Sequence, residues 1–354
     1  MKKGLIIFCI SFIFSDMIWA QDPNFSQFYN CPTYYNPAMN SIGNGITFRC
    51  NSRFLWTPIP GSFNTYTVAL EAEAINKTSL GVLAMSDVAG EAYLRTTGGY
   101  ILYTYRPLET RNNLLQFGVS GGLINKNIDK SKFLFSDQLD EVYGNTKTSA
   151  YNIPNNSVTY PDFSAGTVYR HSGEKNKKHV KHMETLGFSF HHLTRPKDAF
   201  ISDEGRLPVK GVLHGNVQIL VNNKIFSPSF IFEKQGDIQY LLKKQSGFQT
   251  FTLGLEIINR PFTFGVWYRN KSYTSKLNQY DSFIFSLGIN ITKNNQTHFK
   301  INYSFDSTIS RLKTASYGSH EISLVIDLNG KVLFKGSQSK KKDARMHECP
   351  TNLM

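Results

Sequence analysis

The residues of this chain best suited to chemistry are its histidines, one serine beside them, and a set of mixed charges. His179 and His182 stand three apart, and His191 and His192 are adjacent. A metal ion needs ligands converging from one side. Adjacent residues of a strand point to opposite faces, so His191 and His192 do not share an ion. His179 and His182 lie in a lysine-rich turn, where solvated histidines are the ordinary outcome. Ser189 and His191 fall on one face of a strand, as two members of an acyl-transfer triad would, but nothing fixes an orienting third. Phosphate loops, paired CxxC elements and nucleic-acid motifs are absent. The expectation is a protein with no catalytic residue, no metal and no cofactor.

The mixed charges say more. From Leu80 to Arg106 the chain reads as strand, charged connection, strand, with Asp87, Gly90, Glu91 and Arg95 at the connection. The preceding long connection holds Arg53, Trp56, Pro60 and Gly61. Charges that point into a barrel must pair, because an unpaired buried charge costs several kcal/mol. A lumen or loop charge network of Arg53, Trp56, Asp87, Glu91 and Arg95 is therefore expected, with a partner-docking surface as the alternative. A later connection carries Asp129, Lys132, Phe135, Asp137, Gln138, Asp140 and Gly144. Loops beyond about 15 residues are usually functional or disordered. This one is expected to be ordered from Ser136-Asp137 to Gly144 and mobile from Asn145 to Asn156. Asp129, Lys132, Asp137, Gln138 and Asp140 are its candidates for partner binding.

Period-two alternation supplies the elements that position these residues. Phe299, Ile301, Tyr303 and Phe305 oppose Lys300, Asn302, Ser304 and Asp306. Phe283, Phe285, Leu287 and Ile289 oppose Ser282, Ser286, Gly288 and Asn290. Phe262, Phe264, Val266 and Tyr268 oppose Thr263, Gly265 and Arg269, with Trp267 breaking the rule. Lipid on one side and a wet lumen on the other produce this pattern. Such runs define strands near 46–52, 63–71, 78–86, 97–106, 114–124, 163–171, 184–192, 211–221, 227–234, 249–258, 262–270, 281–290, 297–305 and 319–328. The stretch 237–243 is read as loop, because Gly236 and Lys243-Lys244 bracket it. Connections after the odd strands are all long. Those after the even strands are short except 172–183. That asymmetry suits an all-β transmembrane barrel of about fourteen antiparallel strands, with long loops outside and short turns in the periplasm. A soluble sandwich has no reason to sort its loops.

Composition fits a membrane barrel and fits a soluble β-sandwich equally, so by itself it does not choose. Hydrophobic content is 40%, yet aromatics reach 14%, with 27 Phe and 18 Tyr. Lys2 and Lys3, the apolar run Leu5 to Phe14, and Ala20 before Gln21 read as a signal peptide over 1–20, too short to span a bilayer. Residues 21–42 hold Asp22-Pro23, Cys31-Pro32 and Asn36-Pro37 and form an ordered segment or plug at the barrel mouth. The barrel occupies 43–328, and 329–354 is a basic tail whose Lys340, Lys341, Lys342 and Arg345 are solvated or touch periplasmic partners. An even strand count places both ends of the barrel in the periplasm. The net charge of +13 points to anionic lipid, wall polymer or an acidic protein, and an exported chain rarely meets nucleic acid. Cys31, Cys50 and Cys349 leave open one bridge between Cys31 and Cys50 or three free thiols.

Ordered blocks over most of the chain resemble the PorP/SprF family of type IX secretion and gliding proteins, outer-membrane barrels of Bacteroidetes. Gln21-Asp22-Pro23, Phe25-Ser26-Gln27 and Asn36-Pro37-Ala38 match its opening. Arg53 with Trp56, Pro60-Gly61, Ala89-Gly90-Glu91 and Leu94-Arg95-Thr96-Thr97 follow. Asp129, Asp137-Gln138 with Asp140, Pro161-Asp162-Phe163 and His191-His192-Leu193-Thr194 continue the series. His214-Gly215, Glu233-Lys234-Gln235-Gly236, Trp267-Tyr268-Arg269, His320-Glu321-Ile322 and Cys349-Pro350 complete it. The resemblance implies a non-enzymatic barrel that supports export and surface retention of large secreted proteins, notably gliding adhesins with a type B C-terminal domain. Outer loops or the mouth would bind that cargo domain, and the inner side would meet periplasmic and outer-membrane components of the machinery. The alternative is a porin or a small-molecule or fatty-acid transporter.

Overall fold

In the computed structural model the described residues are 22–329, except 43–44, 75–76, 91–92, 111, 141–143, 146–148, 150–154, 176–179, 201–204, 222–223, 237–245, 275–277, 294–296 and 310–316. The signal segment, the stretch 237–243, Glu91, His179 and the tail with Lys340, Lys341, Lys342 and Arg345 lie outside them.

Alternation becomes strand because each such segment can turn its large apolar side chains to lipid and its small polar ones inward, while its backbone pairs on both sides. The strands are β1 (Gly45–Leu55), β2 (Phe63–Glu73), β3 (Thr78–Ala89), β4 (Leu94–Glu109) and β5 (Asn113–Asn127). A two-residue pair, β6 (Leu139–Asp140) and β7 (Gly144–Asn145), sits in the long connection that follows. Then come β8 (Ser157–Lys175), β9 (Val180–His191), β10 (Lys210–Val221), β11 (Lys224–Gln235) and β12 (Ser246–Asn259). β13 (Phe262–Thr274), β14 (Asn278–Lys293), β15 (Thr297–Thr308) and β16 (Ser319–Asn329) finish the wall. Apart from β6 and β7 they form one closed barrel of fourteen strands. It closes where β1 pairs antiparallel with β16, from Gly45 opposite Asn329 to Leu55 opposite Ser319.

The two faces divide as the pattern requires. On β14, Phe283, Phe285, Leu287 and Ile289 are exposed outward while Ser282 and Ser286 are buried inward. At one end the connections are 74–77, 110–112, 176–179, 222–223, 260–261 and 294–296. At the other they include 56–62, 128–156, 192–209 and 309–318. The irregular 172–183 turn disappears, because β8 and β9 extend to Lys175 and from Val180. Two expected long loops shorten likewise, to 90–93 and 275–277, since polar residues at strand ends keep pairing above the apolar belt.

The lumen of a barrel this wide must be filled by water or by chain. Residues 22–42 occupy it. They form a one-turn helix, Pro32–Tyr35, and a single 3-10 turn, Pro37–Met39, each with proline in its first turn. The segment starts at the loop end, where Asp22 meets His192 and Lys210, and reaches the turn end, where Ser41 meets Glu71. The barrel's own ends do lie together at the turn end, as an even count requires. The N-terminal segment instead climbs back through the lumen, which strand counting does not reveal.

The inside–outside assignment has a direct test. Leu287 is 58% exposed on the outward row, and its neighbour Ser286 is 3% exposed inside. Leu287→Arg is expected to cost about 2–4 kcal/mol, and Ser286→Ala far less. Refolding into lipid vesicles followed by denaturant titration measures both. Equal effects would mean that the faces are assigned wrongly.

Candidate functional site

The site is the contact between the N-terminal plug and the wall. Its apolar part is a cluster of Phe25, Phe28, Cys31 and Tyr35 from the plug with Val212, Ile231, Trp267 and Ile284 from the strands. Tyr29 stacks on Trp267 with centroids 4.8 Å apart, and the indole N–H donates to Ser229 Oγ at 3.2 Å. Trp267 breaks the alternation because the plug, not water, is what it faces. Lower down, Ala38 and Ile42 pack on Leu114 and Val168. A Cβ at Gly118 would overlap the Pro37–Ala38 backbone, so glycine is what lets the plug approach β5.

Its polar part has three centres. At the first, Ser26 Oγ donates to Asp306 at 2.6 Å and accepts from Arg53 at 2.6 Å and from Arg269 at 2.8 Å. The same guanidiniums reach Asp306 at 2.9 and 2.5 Å. Glu321 accepts the backbone N–H groups of Ser26 and Gln27 at 2.7 and 3.1 Å. Gln27 is fully buried. It donates to Ser304 Oγ and to the Glu321 carbonyl, and accepts from Asn30, Asn302 and Ser323.

The second centre is at the mouth. His192 donates through Nε2 to Asp22 at 2.8 Å and through Nδ1 to Asp162 at 3.0 Å, while the Tyr100 hydroxyl donates to Asp162 at 3.0 Å. Both ring nitrogens facing carboxylates is the geometry of an imidazolium. Burial opposes that charge, but Asp22 and Asp162 outweigh it and push His192 from 6.5 up to about 10. Burial also opposes ionisation of Asp22, yet His192 and Lys210 hold it well below its ordinary 3.8. Lys210 reaches Glu233 at 2.9 Å, and Asn24 donates to the same carboxylate.

The third centre ties the lower plug. Glu71 accepts from Ser41 N at 3.0 Å and from Arg49 Nε at 2.9 Å, and Arg106 donates to the Ser41 carbonyl. Gln116 donates to the Asn40 carbonyl at 2.8 Å. Asn36 caps its own 3-10 turn and also donates to the Thr167 and Phe188 carbonyls at 3.1 and 3.3 Å. Cavities remain on both sides of the plug, about 530 Å³ toward the loops and about 280 Å³ toward the turns.

The charges expected to form one network are distributed differently. Arg53 enters the first centre with Asp306 and Glu321, whose partners lie on β15 and β16. Asp87 accepts from Thr65 at 2.6 Å across the β2–β3 pair. Arg95 is exposed on the row of β4 that carries Thr97, Ile101 and Tyr103, so it points away from the lumen. Trp56 packs edge-on against Phe63 in the first loop. Ser189 Oγ and His191 Nε2 both turn to the Tyr35 carbonyl, at 2.6 and 2.8 Å. Ser189 Oγ also lies 3.2 Å from His191 Nε2, which the Tyr35 carbonyl holds as a donor. Cys31 and Cys50 are free thiols. They are held apart because Cys31 is in the plug and Cys50 alternates with the inward Arg49 and Asn51.

In the long connection, Asp129 accepts from Ser131 N and Oγ at 3.0 and 2.7 Å, which holds its carboxyl below the usual range. Lys132 lies over the Tyr93 ring at 5.5 Å. Asp137 accepts from Ser149 Oγ at 2.9 Å, Gln138 accepts from Phe135 N at 2.9 Å, and Asp140 pairs with Gly144. Most of 145–156 lies outside the described residues.

The model of the family described as type IX secretion system membrane protein PorP/SprF matches residues 19–326. No curated protein matches the sequence. Among solved structures, CdiB from Acinetobacter baumannii is 8% identical with a TM-score of 0.39, over 80% of this chain and 60% of that one. This chain thus spans less than two thirds of that protein. The P. putida toluene transporter TodX is 8% identical with a TM-score of 0.43, over 85% and 94% of the two chains. The CymD monoaromatic hydrocarbon channel is 10% identical with a TM-score of 0.42, over 84% and 91%.

Two outcomes test the site. Asp306→Asn removes the carboxylate that both guanidiniums share, leaving Arg53 to Glu321 and Arg269 to Asp281, and is expected to cost about 1.5–3 kcal/mol, read as faster proteolysis of the N-terminal segment. The mouth centre should also depend on pH. A raised histidine value gives stability that is complete below 6.5 and lost as pH rises through about 10. A lowered carboxylate value gives stability that is present above 3.8 and lost below it. Hydrogen-exchange protection at 22–25, taken relative to the intrinsic rate at each pH, should therefore be greatest between about pH 4 and 6.5, and His192→Asn should abolish the alkaline limb.

Proposed function

This chain belongs to the PorP/SprF family of type IX secretion system membrane proteins, and from that premise we propose an outer-membrane barrel that supports export and surface retention of large secreted proteins. Residues 1–20 act as its signal peptide, 21–42 as its plug, and 329–354 as a basic periplasmic tail. The loop side receives the C-terminal domain of the secreted cargo, an adhesin with a type B domain. The turn side, with Lys340, Lys341, Lys342 and Arg345, meets periplasmic components of the machinery. The observation that carries this reading is the plug itself. A segment fixed by a buried ion pair at the loop end and by buried hydrogen bonds to charged wall residues down to the turn end suits a rigid docking platform better than a conduit. Asp129, Lys132, Asp137, Gln138 and Asp140, held in a hydrogen-bonded loop, are the proposed contact surface for cargo.

The rival is a porin or small-molecule transporter, favoured by the 530 Å³ cavity open toward the loops. Affinity purification from the native outer membrane separates the two. The expected result is retention of a secreted surface protein, lost when 129–140 is replaced by a Gly/Ser linker in a chain that still inserts. A barrel that conducts freely in planar bilayers and retains no surface protein would establish the rival.

A further inference from the structure

The turn end of the barrel carries a ring of positive charge. Lys77 stands in the 74–77 turn and Arg260 in the 260–261 turn. Lys224 adjoins the 222–223 turn, Lys293 the 294–296 turn, and Lys181 lies two residues beyond the 176–179 turn. In the remaining turn, Arg111 lies outside the described residues. Arg260 borders the turn-side cavity and Lys181 continues the inward row of Met183 and Thr185, so among the described residues three of these connections, at Lys77, Lys224 and Lys293, present an exposed cation.

Their placement matters more than their number. Lys293 continues the outward row of Ile289 and Ile291, one step past the apolar belt. Lys224 begins the outward row of Phe226, Pro228 and Phe230. Lys77, Lys224 and Lys293 are exposed. The carboxylates of the same end turn inward. Glu73 and Glu109 reach Arg106 at 3.5 and 3.7 Å, Asp327 accepts from Thr47 at 2.7 Å, and Glu256 holds Lys300 at 2.9 Å. The outward acid nearest this end among the described residues is Glu184, four residues inside β9. The loop end has no such segregation, for Asp129, Lys130, Lys132 and Asp137 mix there.

We propose that this ring binds the phosphate headgroups of anionic phospholipids in the leaflet around the turn end. A lysine one step beyond an apolar row lays its stem along acyl chain and its ammonium at headgroup level. Each such residue strengthens binding to an anionic surface by about fivefold, and screening by salt weakens it. An acidic protein would dock on the mouth or the turn tips, whereas Lys224 and Lys293 stand on the face that lipid covers. This inference is independent of the cargo reading and goes beyond it.

The test titrates the full chain in neutral detergent with phosphatidylglycerol or phosphatidylcholine and counts bound lipid by native mass spectrometry. Heat-modifiable gel mobility verifies folding throughout. Phosphatidylglycerol should be preferred, and the triple variant Lys77→Gln, Lys224→Gln, Lys293→Gln should lose that preference by about tenfold or more. The loop-end pair Arg95→Gln, Lys130→Gln should keep it. Absence of preference, its survival in the triple variant, its loss in the loop-end pair, or displacement of the lipid by a hexaglutamate peptide would each overturn the proposal. A triple variant that fails to fold is replaced by Lys293→Gln alone, with an expected loss of about fivefold and the same overturning results.

Discussion

The carboxylate of Asp306, shared between Ser26 and two arginines, is the interaction on which the rest of this molecule depends. A fourteen-stranded wall encloses more space than its own side chains fill, and a chain segment placed there exposes backbone groups with little water to answer them. Each must find a partner on the wall, or the segment is better off outside. Ser26 shows how tightly this is met, since its hydroxyl donates once and accepts twice, which exhausts its capacity. Glu321 takes the backbone N–H groups of Ser26 and Gln27, and the Gln27 amide binds the wall at both ends while also accepting from Asn30 within the plug. A buried carboxylate and guanidinium stabilise little by themselves. Here they are worth keeping because they fix where the plug sits.

That requirement explains which parts of the wall look unusual. Trp267 and Ile284 stand at positions where alternation calls for small or polar side chains, and both touch the plug. Gly118 stands where the plug backbone passes. His192, Glu233, Arg269 and Glu321, drawn from four distant stretches, all converge on residues 22–27, and Asp162 backs the far side of the His192 ring. Several blocks that carry the family resemblance are therefore contact points between one irregular segment and the strands around it. The His191–His192 pair illustrates this, with one ring serving the Tyr35 carbonyl and the other the Asp22 carboxylate.

The barrel was legible in the sequence because lipid imposes a period of two on every strand, and all fourteen strands follow from it within a few residues. The ends were less legible. Polar strand termini such as Ser157–Thr159 keep pairing without any apolar signal to mark them. The inward network was hardly legible at all. Ser26 and Asp306 are 280 residues apart, and no spacing rule links them. Arg95 shows the converse error, since its neighbours in sequence suggested a partner while its row on β4 carries it outward. One clue did exist in the alternation itself. Trp267, out of phase on β13, already signalled that something other than water lay inside.

A wall that is rigid, plugged and unequal at its two ends suits a protein that presents surfaces to other macromolecules. Whether residues 22–42 pack firmly in the lumen is read at Cys31, which is 3% exposed among Phe25, Phe28 and Tyr35. With Cys9 and Cys349 changed to serine, Cys50 faces lipid and Cys31 is the thiol that a water-soluble maleimide could reach only through the lumen. The folded barrel should show no labelling over hours and full labelling after denaturation. Rapid labelling of the folded protein would mean that the plug does not hold.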